Sequence, residues 1–209
     1  RGTLLRNGGG QWSAGQEGPQ KQRYGHVFDG FAKLTRYEIQ DGNVQFSTKF
    51  IESKWRSAAL ERGTLMEGLT TGPRMDHALD QTLESNLIRS LMNSISFDNT
   101  PVNVWDYSYR SEHGNGSAVY AITDAPSQAT IDPDTLATLQ SARPPSFARK
   151  AGGYEMLSTA HPEYCKCGSG STYNVIVELN PFGNRISVVK ERPIEDEDGS
   201  GRLDREIVA

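Results

Sequence analysis

The stretch LTRYEIQDGNVQFSTKF, residues 34–50, leaves the chain little local choice. Tyr37 and Ile39 alternate with polar neighbours, and Val44, Phe46 and Phe50 do the same beyond Asp41-Gly42. A period of two puts such side chains on one face of an extended strand. Asp-Gly accepts the positive φ that a two-residue hairpin turn requires. The run therefore predicts a β-hairpin. STYNVIVELNPFGNRISVVKERP predicts a second, with Tyr173, Val175, Val177 and Leu179 on one face, a turn at NPFGN, then Ile186 and Val188.

Between the hairpins, NTPVNVWDYSYR, SAVYAITD and QATIDPDTLATL read as short strands separated by Gly, Pro, Asn and Asp turns. Asn115-Gly116 is a glycosylation sequon that reads more simply as a turn. One segment departs from this pattern. In RMDHALDQTLESNLIRSLMNSI, Met75, Leu79, Leu83, Leu87 and Leu91 recur every four residues, predicting an amphipathic helix with Asp76 near its cap. Its apolar stripe suits core packing first and a membrane surface second. The fold class is mainly all-β, with a helical insertion. Many short strands fit a sandwich, a barrel or a propeller of diverged blades.

With 209 residues and a net charge of -4, basic residues are scattered, which argues against a nucleic-acid partner. No apolar run reaches the roughly 18 residues of a spanning helix. The chain does not open with Met, which leaves an upstream targeting segment open. Cys165 and Cys167 are the only cysteines. Their spacing strains a direct bridge, so the expectation is two thiols in a solvated loop of a reducing compartment. The acidic Gly-Ser run in RPIEDEDGSGRLDREIVA reads as a solvated loop before another apolar segment.

RGTLLRNGGG, HVFDGFAKLTRYEIQDGNVQFSTKFIES, DNTPVNV, VYAITDAPSQATIDPDTLATL and TAHP together resemble the amino-terminal part of the carotenoid cleavage oxygenase family. The family includes apocarotenoid oxygenases and the retinal pigment epithelium isomerohydrolase. The resemblance implies the first blades of a seven-bladed β-propeller, with Fe(II) on the axis held by histidines from different blades. Residues 1–209 would be the N-terminal part of that single domain, a fragment inactive alone.

By resemblance the metal ligand is His161, in TAHP. Neutral imidazole is a good ligand for iron, and Pro162 restricts the backbone of His161. Without the resemblance, one His before a Pro is more often structural. A zinc site from His161, Cys165 and Cys167 is a rival, but it lacks a second ligand cluster. His26, His77 and His113 read as surface residues. Asp124 ends the strand YAITD where the family has a Glu that orients one of the other histidines. The replacement shortens the reach by about 1.5 Å, one carbon–carbon bond, and such changes cost about 10- to 100-fold in metal affinity or activity. Read on its own, Asp124 opens the turn DAPS. Phe28 and Thr123 match positions that face the substrate, although Phe28 equally suits core packing.

The expected function is that of a non-haem Fe(II) dioxygenase cleaving a conjugated double bond of a carotenoid or apocarotenoid with O2. The alternatives are isomerohydrolase chemistry on a retinyl ester and a non-catalytic propeller that binds apolar ligands. Peripheral membrane contact fits such substrates; compartment and oligomeric state stay open.

Overall fold

The computed structural model describes residues 1–15, 21–65, 98–107, 119–143, 154–166, 171–180, 183–195 and 201–209. Strand β1 (Gly2–Gln11) leads through the short pair β2 (Ser13–Ala14) and β3 (Gln22–Arg23) to a 3-10 turn, Val27–Asp29. Then follow β4 (Phe31–Gln40) and β5 (Asn43–Phe50), which form a three-stranded sheet in the order β1-β4-β5. Asp41 and Gly42 both have positive φ, 50° and 77°, and Gln40 pairs with Asn43. This is the predicted two-residue hairpin.

Strands β6 (Asn103–Asp106), β7 (Val119–Ile122), β8 (Gln128–Ile131) and β9 (Thr138–Arg143) make a four-stranded antiparallel meander. The third sheet contains β10 (Tyr154–Ser158), β12 (Thr172–Asn180), β13 (Gly183–Glu195) and β14 (Gly201–Ile207), with β11 (Glu163–Tyr164) also paired to β12. The second predicted hairpin is β12–β13, closing at Asn180 and Gly183.

The sheets stack because β7 and β8 are buried on both faces. Val119, Ala121, Ala129 and Ile131 pack against Ala32, Leu34 and Ile51 of the first sheet and its exit. The alternate residues Tyr120 and Ile122 pack with Tyr107, Ala160 and Leu203 on the other side. Period-two alternation thus feeds two cores from one strand, each buried aliphatic side chain contributing about 1.5–3 kcal/mol.

The segment DNTPVNV fastens the stack. Asn99, fully buried, accepts the Ala32 N–H and donates to the Gly30 carbonyl, both at 2.8 Å. Asp98 accepts the Lys54 and Trp55 amides at 2.6 and 3.0 Å, and Ser53 Oγ accepts the Arg56 amide at 3.1 Å. These bonds satisfy three otherwise orphaned donors at the start of helix α1 (Lys54–Arg62), which ends at Gly63 with φ 65°. The helix was not foreseen from sequence. The helix expected from Met75 to Leu91, and the turn at Asn115, lie outside the described residues.

The third sheet leaves apolar side chains on its outer face. Val175 and Ile186 are 42% and 71% exposed, whereas the opposite face buries Ile176, Val189 and Leu203 beside the polar Asn174, Glu178, Ser187, Glu191 and Arg205. Sequence alternation identified these faces without showing which one is covered.

Candidate metal-ligand site

His161 lies between β10 and β11, with its side chain exposed and Pro162 beside it buried. Its imidazole has no hydrogen-bond partner among the described residues, while the main chain leading to it is heavily engaged. The Ala160 N–H donates to Asp124 Oδ1 at 2.9 Å, and the Ala160 carbonyl accepts from Asn103 Nδ2 at 2.8 Å. The Thr159 carbonyl accepts from Asn174 Nδ2 at 3.1 Å, and the His161 N–H donates to Thr159 Oγ1 at 3.2 Å. Further back, the Ser158 N–H donates to the Asp124 carbonyl at 3.1 Å. On the far side, the Tyr164 ring stacks on Trp105 at 4.6 Å and its hydroxyl donates to the Asp106 carbonyl.

The segment rests on a buried polar network. Arg205 Nε donates to Glu191 Oε1 at 2.7 Å, and a second guanidinium nitrogen donates to Ser158 Oγ at 3.0 Å. The Tyr107 hydroxyl donates to Glu191 Oε2 at 2.6 Å. Burial, then the charge of Glu191, pushes the Tyr107 phenol well above its ordinary value. Thr123, Ser158, Thr159, Asn174 and Arg205 line a cavity of about 10 Å³ against this network. That is roughly the room for one water molecule, too small for a polyene.

The structure brings Thr123, Asp124 and the His161 segment together, with Thr123 buried and Asp124 exposed. Phe28 is elsewhere, 49% exposed on the 3-10 turn with its ring 5.5 Å from His26. His26 Nδ1 accepts the Phe28 amide at 3.3 Å. His77 and His113 lie outside the described residues. Sequence reading missed Asn103 and Asn174, since an Asn within a strand announces neither its depth nor its acceptor.

An imidazole on a fixed main chain, with no described residue bonded to its ring, fits as one ligand to iron. One imidazole does not hold an ion, and among the described residues no group of three or more His, Cys, Asp or Glu could. Cys165 is disulfide-bonded, which corrects the expectation of thiols: ring strain disfavours a short bridge without forbidding it. Cys167 lies outside the described residues. A disulfide sulfur is no thiolate ligand, so the zinc alternative loses its support.

The profile of the retinal pigment epithelial membrane protein family matches residues 1–204. The chain is 31% identical over 143 residues to the carotenoid isomerooxygenase of Galleria mellonella, which covers 67% of this chain and 25% of that protein. It is 28% identical over 172 residues to the beta,beta-carotene 15,15'-dioxygenase of Rattus norvegicus, covering 81% of this chain and 27% of the relative. A solved structure of a Synechocystis apocarotenoid oxygenase variant superposes with a TM-score of 0.58 at 17% identity, over 99% of this chain and 38% of that one. The chain belongs to the retinal pigment epithelial membrane protein family, which takes in the carotenoid oxygenases. Its mainly β fold is that of their propeller blades. It spans about a quarter of the length of these two relatives.

Proposed function

We propose that this chain forms the N-terminal blades of a non-haem Fe(II) dioxygenase that cleaves a conjugated double bond of a carotenoid or apocarotenoid with O2, giving carbonyl products. His161 is its contribution to the metal, and the remaining ligands come from outside the described residues. The reading is carried by one observation: within a family match that spans residues 1–204, His161 presents an imidazole that no described residue bonds, from a main chain held at the Thr159 and Ala160 carbonyls and the Ala160 and His161 amides. Bound there, Fe(II) supplies the oxygen chemistry. Asp124 supports the site from behind His161, Thr123 borders the same segment, and Phe28 offers an exposed aromatic face to an apolar chain. Cleavage and substrate binding belong to the whole protein.

The test is turnover of the full-length protein on a carotenoid under isotopically labelled O2. Product carbonyls carrying the label, together with loss of iron and of cleavage in His161→Ala, support the reading. A full complement of iron in His161→Ala, or hydrolysis and isomerisation of a retinyl ester without label uptake, overturns it.

A further inference from the structure

We propose that Asp124 is a positioning residue for His161 that acts through the main chain of Ala160 and not through an imidazole. The inference rests on reading His161 as an iron ligand.

Two consecutive peptide planes precede the Cα of His161, and each is held at both ends. In the plane joining Thr159 to Ala160, the carbonyl accepts from Asn174 Nδ2 and the N–H donates to the Asp124 carboxylate. In the plane joining Ala160 to His161, the carbonyl accepts from Asn103 Nδ2 and the N–H donates to Thr159 Oγ1. Pro162 restricts His161 from the other side. With both planes held and Pro162 narrowing the backbone angles of His161, the direction of its Cα–Cβ bond is confined. The ring is then the one mobile part of the segment, turning about its own side-chain bonds.

Asp124 supplies the side-chain oxygen of this clamp, 2.9 Å from the Ala160 nitrogen. It also accepts the Ser158 N–H on its own carbonyl, so one residue grips the segment twice. Ala160 is fully buried and cannot swing outward to find a substitute acceptor. Side-chain length decides the fit. A Glu is longer by one carbon–carbon bond, about 1.5 Å, more than a 2.9 Å contact tolerates. An Asn has the same length and keeps an oxygen for the Ala160 N–H.

The experiment uses the full-length protein, with ferrous affinity measured by chelator competition in wild type, Asp124→Asn, Asp124→Glu, Asp124→Ala and His161→Ala. Amide exchange over residues 158–164 is followed in the metal-free forms. Asp124→Asn is expected to keep both wild-type affinity and slow exchange. Asp124→Glu and Asp124→Ala are expected to bind iron about 10- to 100-fold more weakly, with faster exchange over that peptide. The reverse order, Glu binding as tightly as Asp while Asn weakens, overturns the proposal, because it marks a carboxylate that reaches an imidazole. Unchanged affinity across all Asp124 variants overturns it as well. Full iron occupancy in His161→Ala instead removes the reading beneath it, whatever the Asp124 series does.

Discussion

The hydroxyl of Tyr107, at the end of the middle sheet, donates at 2.6 Å to the carboxylate of Glu191 on β13, and both residues are buried. This bond ties two sheets together at the base of the His161 segment. Burial and the neighbouring carboxylate hold the phenol well above its ordinary value of 10.0.

The sign of the resulting pH dependence follows from linkage. The raised value in the folded state means that the stabilisation is complete below the unfolded pKa of about 10 and is lost as pH rises from there through the folded value. In an ultraviolet titration Tyr107 should stay protonated until the protein unfolds in alkali. Tyr107→Phe should flatten the alkaline fall in stability; an unchanged slope would assign that fall to other groups.

Glu191 balances Arg205, and the two side chains are 0% and 3% exposed. Glu191→Leu leaves a buried guanidinium without its carboxylate and should destabilise by about 3–5 kcal/mol. Adding Arg205→Met should recover most of that loss, because a packed apolar pair avoids both desolvation costs. Denaturant midpoints of the two single variants and the double variant measure the coupling. Simple additivity would show that the pair is not the origin of the loss.

Much of the fold was legible because strand alternation and turn chemistry are local. Asp41-Gly42 specified its hairpin through φ alone, and the runs around Val104, Tyr120 and Ile131 became strands where the pattern placed them. Helix α1 is hard to read in the sequence although Ser53 and Gly63 mark its ends, because Trp55 and Ala59 make a weak apolar stripe. The clamp on Ala160 was illegible for a different reason. Asn103 and Asp124 come from the β6–β9 sheet and Asn174 from β12, and the three meet only when those two sheets stack. The charged pair Glu191 and Arg205 likewise reads as solvent-facing until its sheet is known to bury that face.

The helix cap offers a stability test away from the site. Asp98 accepts two amides at the start of α1 from a position 43 residues beyond Trp55. Asp98→Ala leaves both donors unsatisfied and should cost about 1–2 kcal/mol. Asp98→Asn should recover part of this by restoring one acceptor. Thermal unfolding of both variants checks the order.

Phe28 tests substrate contact. Its ring is half exposed, so Phe28→Ala should change stability by no more than about 0.5 kcal/mol. If the ring meets a polyene in the full-length protein, losing one aromatic face should raise KM about tenfold, equivalent to about 1.4 kcal/mol. Steady-state kinetics on a carotenoid and a thermal melt separate the two effects. An unchanged KM removes Phe28 from the substrate path.

The glycines around Trp12 close the first sheet. A Cβ on Gly30 would lie 2.6 Å from the indole ring, and one on Gly9 would lie 2.5 Å from it, so the ring sits against two bare backbones. The indole Nε1–H donates to the Val27 carbonyl at 3.0 Å, which fixes the 3-10 turn carrying Phe28. Gly30 has an ordinary φ of -63°, so the glycine is needed for space and not for conformation. Gly30→Ala should therefore destabilise by about 1–3 kcal/mol through overpacking. Pairing it with Trp12→Leu should relieve the clash while losing the Val27 bond. A double variant more stable than Gly30→Ala alone would place the strain at the indole; equal stability would place it elsewhere.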